Sequence, residues 1–324
     1  MRAELRPSSL GEILDRTAQM YRSHFLLYFG IAAVSYAAVL VFHLLANVLL
    51  FSHHVSNVKQ LGGLSLVVSS GISMIAILPI SIAMAAVMRA VAMNYLGQST
   101  TIGGAYASIR QHWYRYILIM MAMYSYATVP AAFVIGVTVA IVAAVPRSLG
   151  RNLIVGLMVV LVFAAFAAAF WWMLRWLLAV PASLMEGLPV HRSLQRSALL
   201  TKGARGRIFV MLLLVGAVMM VIQYAIQIPM FVLMWKSRGV PTLATMIVAS
   251  FGTFFSGSFV LPIYSIALTL FYYDQRIRKE GYDVEWLMEQ AAGLSDTDLP
   301  GTISSGAVVP GSLMPQTDPP GPAV

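Results

Sequence analysis

Six long apolar runs limit what this chain can fold into. They lie near 25–51, 64–93, 116–145, 153–180, 208–235 and 242–273. Each is long enough to cross about 30 Å of hydrocarbon, which takes roughly 20 helical residues. The chain is 59% hydrophobic and only 10% charged, whereas a soluble domain is about 45–50% apolar and about 25% charged. No single water-soluble core could hide that excess. Inside hydrocarbon every backbone N–H and C=O needs a partner within the chain, so the runs are expected to be helices. The first and second runs are joined by a short connection, as are the third and fourth and the fifth and sixth. The predicted fold class is therefore all-α: a polytopic membrane protein with six transmembrane helices as three hairpins and amphipathic helices on the cytoplasmic face.

Lysine and arginine set the orientation. The three short connections hold five: Lys59, Arg147, Arg151, Lys236 and Arg238. The other 16 lie at the termini, in the two longer loops and at the adjoining helix ends. Both termini are thus expected to face the cytoplasm of a bacterial inner membrane. The first 24 residues contain Glu4, Glu12 and Asp15, and the apolar run after them is about twice a signal-peptide core. That run is expected to stay in the membrane. A net charge of +9 would point to nucleic acid in a soluble protein. In a membrane protein it points to anionic headgroups, and no nucleic-acid partner is expected.

A short amphipathic segment recurs between the hairpins. In residues 1–24, Leu10, Ile13, Leu14, Thr17 and Tyr21 share one face, with Glu12, Asp15, Arg16 and Gln19 opposite. Ser9 and Glu12 have capping-box spacing. A second copy, near 100–113, is opened by Thr101 and places Ile102, Ala105, Tyr106, Ile109 and Trp113 on one face. A third, near 188–202, uses Val190, Leu194 and Ala198. A fourth, 274–292, uses Val284, Leu287, Met288 and Ala291. The pair Glu186-Gly187 is echoed by Glu280-Gly281. These helices are expected either in the headgroup plane or against the ends of the spans. The transmembrane domain is placed at 25–273. Residues 293–324 are Pro-, Gly- and Ser-rich without periodicity and are expected to be disordered.

Three stretches carry a resemblance: the opening L-R-P-S-S-L-G-E-I-L-D-R-T-A-Q-M-Y-R-S-H-F, the central M-E-G-L-P-V-x-x-S-L-x-R-S-x-x-L-x-K-G and the late Y-Y-D-Q-R-I-R-K-E-G-Y-D-V-E. Together they resemble a bacterial six-helix membrane-protein family of unknown function. That family is related to the membrane domain attached to some glycerophosphodiester phosphodiesterases. The resemblance implies the six-helix fold and no catalytic residues, since the phosphodiesterase activity belongs to a separate soluble domain.

The residues themselves offer little chemistry. There is no cysteine, hence no disulfide, thiolate or Cys-based metal site. No H-E-x-x-H, G-x-S-x-G or P-loop pattern is present. The six runs hold no carboxylate of the kind that marks proton relays. His53 and His54 are adjacent and diverge, and His43 reads as a hydrogen-bond partner between helices. No catalytic, cofactor or metal residue is assigned. Arg89 and Arg175 lie near the cytoplasmic ends of the second and fourth runs, Arg175 among Trp171, Trp172 and Trp176. They read either as snorkelling to headgroups or as an inward pair holding a phosphate or lipid headgroup. Gln223 and Gln227 share a face of the fifth run, as helix glue or as a ligand contact. Pro79, Pro130, Pro229 and Pro262 fall inside runs and should kink them.

Two functions fit. One is a non-enzymatic inner-membrane protein that organises or regulates membrane or partner proteins. The alternative is a carrier or export component for a lipid or other amphiphile, with Arg89, Arg175, Gln223 and Gln227 lining the path. The expected partners are membrane lipids, together with a membrane-protein partner or a second copy of the chain.

Overall fold

The structure is a computed structural model, and it describes residues 7–52, 58–144, 151–237 and 242–281. Two units divide the chain: Met1–Glu280, to which every described helix belongs, and Gly281–Val324. The expectations for 282–292, for the tail and for His53 and His54 lie outside the described residues.

Among the described residues all regular structure is helical. In chain order the helices are α1 (Leu10–Ser23), α2 (Phe25–Ser52), α3 (Val58–Tyr95), α4 (Ile102–Ile109), α5 (Trp113–Ala144), α6 (Arg151–Met173), α7 (Ala179–Glu186), α8 (Val190–Thr201), α9 (Arg205–Lys236) and α10 (Leu243–Glu280). Six helices among the described residues are long and apolar enough to cross a membrane. The protein is thus an integral, multi-pass membrane protein. Short 3₁₀ turns follow α4, at Arg110–His112, and α6, at Leu174–Trp176. The prolines at 79, 130, 229 and 262 sit inside continuous helices.

Two helices outrun the hydrocarbon. With 38 residues each, α3 and α10 are about 57 Å long, against about 30 Å of hydrocarbon. Their C-terminal ends are where the core sits. In α3 the residues from Ala83 to Met88 are all buried, as are Ala90, Val91 and Ala92. In α10 burial is unbroken from Ser265 to Gln275. The short helices α1, α4, α7 and α8 wrap these ends, a region called here the basal end. Away from it the side chains turn outward: Val160 is 63% exposed, Phe163 71% and Phe133 72%. Those are lipid-facing positions.

α10 is the central post, packed on α2, α9, α3 and α1. The α5–α6 hairpin stands apart, with α6 packed chiefly on α5. The helix taken from sequence to start at 274 is the continuation of α10, whose last two turns run without a break to Glu280. Likewise Trp113 opens α5 instead of closing the second surface helix, and it is 49% exposed.

α1 docks its apolar stripe on the bundle. Ile13 is 1% exposed and Thr17 4%. The Tyr21 hydroxyl donates to the Phe259 carbonyl at 3.2 Å, and burial pushes its pKa up to about 12. The capping box forms: Glu12 N–H donates to Ser9 Oγ at 3.2 Å and Ser9 N–H to Glu12 Oε2 at 2.9 Å. Arg16, expected on the water face, reaches back to the Tyr95 hydroxyl at 3.3 Å. α8 departs further from expectation. Its buried face is Ser193, Ser197, Leu200 and Thr201, not the stripe of Val190, Leu194 and Ala198, and Leu199 is 62% exposed. Its hydroxyls have backbone partners to satisfy, which outranks apolar period here.

On α10, two glycines set close approaches to neighbouring helices. A methyl group on Gly257 would overlap the Tyr36 ring of α2. One on Gly252 would meet only the amide end of Gln227, with Oε1 at 2.5 Å. A ring cannot yield as a flexible amide can. Gly257→Ala should therefore cost about 1–3 kcal/mol, seen as a lower thermal midpoint in detergent and partly restored by Tyr36→Ala. Gly252→Ala should cost clearly less. Equal losses at both glycines would refute this account of the α2–α10 contact.

Candidate functional site

The basal end holds two charged groups, both assembled on the last turns of α10. The first is built around Arg196 of α8. Its Nε donates to both carboxylate oxygens of Glu186, at 2.9 and 2.8 Å. Its Nη2 donates to Glu280 Oε2 at 2.7 Å, and its Nη1 lies 2.6 Å from Glu280 Oε1. One planar guanidinium thus takes a carboxylate on each of two edges, a geometry lysine lacks. Tyr272 donates to Glu186 Oε1 at 2.6 Å, and Arg276 to Glu280 Oε2 at 3.2 Å. Burial acts to lower the Arg196 pKa, but the hydrogen bonds and charges of Glu280 and Glu186 outweigh it and raise the pKa.

The two glutamates are the repeated Glu-Gly pairs of the sequence. α7 ends at Glu186 and α10 at Glu280, and each is followed by a glycine in the left-handed region, Gly187 at φ 66° and Gly281 at φ 64°. Only glycine takes that conformation without strain. The sequence showed the echo only as a repeat. It gave no sign that both carboxylates meet on Arg196, because that contact joins residues 84 positions apart.

The second group surrounds Asp274, whose side chain is 2% exposed. Arg278 Nε donates to its two oxygens at 2.9 and 3.0 Å. Arg207 of α9 lies 3.2 Å from Oδ2. The Ser8 backbone N–H donates to Oδ1 at 2.8 Å, and the Ser8 carbonyl accepts from Arg207 at 3.1 Å and Arg278 at 2.8 Å. The segment leading into α1 is thereby tied to α9 and α10. A cavity of about 10 Å³ beside it, lined by Ile13, Arg16 and Tyr95 among others, is at the scale of a single water.

The residues expected from sequence are not brought together. Arg175 lies in the 3₁₀ turn after α6, and its carbonyl accepts from Ser197 at 2.9 Å and Thr201 at 3.2 Å. Ser197 also accepts from the Leu178 N–H at 3.1 Å, so α8 satisfies the backbone where the α6 helix breaks. The Arg175 guanidinium sits over the Trp172 ring, 5.6 Å from its centroid. Arg89 is half-buried on α3. Among the described residues no hydrogen bond, ion pair or ring contact joins Arg89 to Arg175. Gln227 packs on Gly252, its Oε1 buried without a partner. Gln223 is half-buried one turn away on the same face of α9. His43, expected between helices, bonds the Val39 carbonyl of its own helix at 2.9 Å. The inter-helix bond comes instead from Asn47, to Ser250 Oγ at 3.0 Å.

In Glu186, Asp274 and Glu280 the carboxylate oxygens already accept from arginine, tyrosine or backbone donors. Among the described residues no group of three His, Asp or Glu could hold a metal ion. The arrangement holds helices together. Replacing Arg196 with Met should therefore cost about 2 kcal/mol, since hydrogen bonds to charged groups contribute about 1.5–3 and carboxylates at 18% and 28% exposure each lose an arginine. Adding Glu186→Gln and Glu280→Gln should recover part of that loss. Thermal midpoints of the set in one detergent make the cycle, and strictly additive losses would show that the three groups are not coupled.

Residues 152–285 match the family described as the membrane domain of glycerophosphoryl diester phosphodiesterase. The matched stretch runs from α6 to just past α10 and contains every member of both charged groups except Ser8. The opening motif that also resembles this family lies outside the match. No curated protein and no solved structure matches the chain. Over residues 152–285, the chain is similar to the membrane domain of glycerophosphoryl diester phosphodiesterases.

Proposed function

We propose that this membrane protein is not an enzyme and that it organises or regulates partner proteins from the cytoplasmic side of a bacterial inner membrane. The observation that carries this reading is the use of the basal charges. Arg196, Asp274 and their partners bind surface helices to the ends of the spans, and the three carboxylates serve that role. Outside that network α8 offers water or a partner the exposed His191, Arg192, Gln195 and Leu199. α1 offers Asp15, Gln19 and Arg22. The buried parts of α2, α3 and α10 are mainly small and apolar residues, with serines such as Ser258 and Ser265 bonded to their own helix carbonyls. That packing suits a support more than a conduit. The unpartnered Gln227 oxygen favours the second reading, a carrier for a lipid or other amphiphile.

Extraction of the full chain in native lipid patches separates the two readings. A partner protein should co-purify in fixed proportion, and fail to do so when Arg192 and Leu199 are both changed to Glu. A single defined lipid recovered at one copy per chain, without protein, would favour the carrier.

The orientation can be read directly, since the chain has no native cysteine. Single cysteines replacing Asp15, Gln19 and Arg22 should react readily with a charged thiol reagent in inside-out vesicles. One replacing Thr17 should react slowly. Labelling of the exposed positions in intact cells would invert the proposed topology.

A further inference from the structure

The two helices that offer polar faces outward, α1 and α8, are tied to one element. α1 packs chiefly on α10, and α8 on α7 and the 3₁₀ turn at Leu174–Trp176. Yet the last two turns of α10 hold both. Asp274 accepts from the Ser8 N–H, just ahead of α1, and Glu280 accepts from Arg196 of α8. A second route runs beside this one. Arg16 of α1 donates to the Tyr95 hydroxyl at 3.3 Å. The Tyr95 ring stacks on Tyr273, with centroids 5.3 Å apart, and Tyr272 lies edge-on to Tyr273 at 5.7 Å. These two tyrosines hold the end of α7: Tyr273 donates to Met185 Sδ at 3.6 Å, and Tyr272 to Glu186 Oε1 at 2.6 Å. Glu186 in turn holds Arg196. Tyr272 is 0% exposed and Tyr273 3%. In a core packed that closely, neither ring can shift without moving its neighbours.

Coupling between distant surfaces is carried by packed side chains and polar contacts with more than one arrangement. Here every step from Arg16 to Arg196 is a direct contact. We propose that α1 and α8 form one coupled switch. Docked α1 keeps Tyr95 stacked on Tyr273, so that Tyr272 and Tyr273 grip the end of α7, and release of α1 frees α8 to move. The outward face of α1, with Asp15, Gln19 and Arg22, is then a control surface for the outward face of α8, with Arg192, Gln195 and Leu199. A partner that pulled α1 off the bundle would loosen α8. By linkage, a partner that fixed α8 would favour docked α1. The regulatory consequence rests on the reading of α8 as a partner-facing helix. The coupling does not, and its test needs no partner.

The test is hydrogen–deuterium exchange of the full chain in nanodiscs, read by mass spectrometry for α1, α4 and α8 separately. Ile13→Lys/Thr17→Lys puts charge at positions that are 1% and 4% exposed and should undock α1. Exchange in α8 should then rise about tenfold. α4, docked on α2 through the Tyr106 hydroxyl, should keep its wild-type rate. In a Tyr273→Leu background, undocking α1 should raise α8 exchange far less. Unchanged exchange in α8 on undocking α1 overturns the proposal. So does an equal rise in α4, which would mean general loosening, or an undiminished response without Tyr273. Should the double variant fail to fold, the reverse direction remains. Arg196→Met should raise exchange in α1 and not in α4, and an unchanged α1 would overturn the coupling.

Discussion

In hydrocarbon, two apolar helices gain nothing by hiding side chains from their surroundings, because lipid tails are as apolar as leucine. Cohesion must then come from close packing, polar contacts, or a region outside the hydrocarbon where burial removes surface from water. This chain concentrates all three at one end. Its densest core is at the basal end, where α1, α4, α7 and α8 cover the C-terminal ends of α3 and α10. Wherever that cover withdraws apolar surface from water, each Å² contributes about 25 cal/mol. The α5–α6 hairpin, with little of that burial, packs loosely on the rest.

The same constraint explains where the charges lie. A carboxylate in mid-membrane would be expensive, and at the basal end it is affordable only with donors around it. Asp274 has two arginines and a backbone amide. Glu186 and Glu280 share one arginine. Partly buried ion pairs of this kind add little over a hydrophobic alternative, but removing one partner is costly. The asymmetry favours one register of α7, α8 and α10, so the position of α8 on the end of α10 is specified by Arg196.

Much of this was legible in the sequence. The six spans, their pairing by short connections and the apolar face of α1 follow from runs and periods that one helix carries within itself. So does the Ser9–Glu12 cap, which needs residues three apart. α8 was misjudged because apolar spacing cannot register hydroxyls. Ser197 is buried because the backbone break at Leu174–Trp176 needs a donor and an acceptor, and that break lies in another helix. The end of α10 was placed seven residues early because Asp274 and Glu280 look like water-facing residues until their arginines are known.

Sequence alone determined that the chain must be a helical membrane protein, since 59% hydrophobic residues in six runs leave no other way to satisfy backbone and side chains together. It also showed Glu186-Gly187 repeated as Glu280-Gly281, because a repeat is a local pattern. Only the tertiary structure decided that both copies close on Arg196. Charge pairing acts through space between helices that are distant along the chain. A periodicity says which face of a helix is apolar, and it carries no information on which other helix that face will meet.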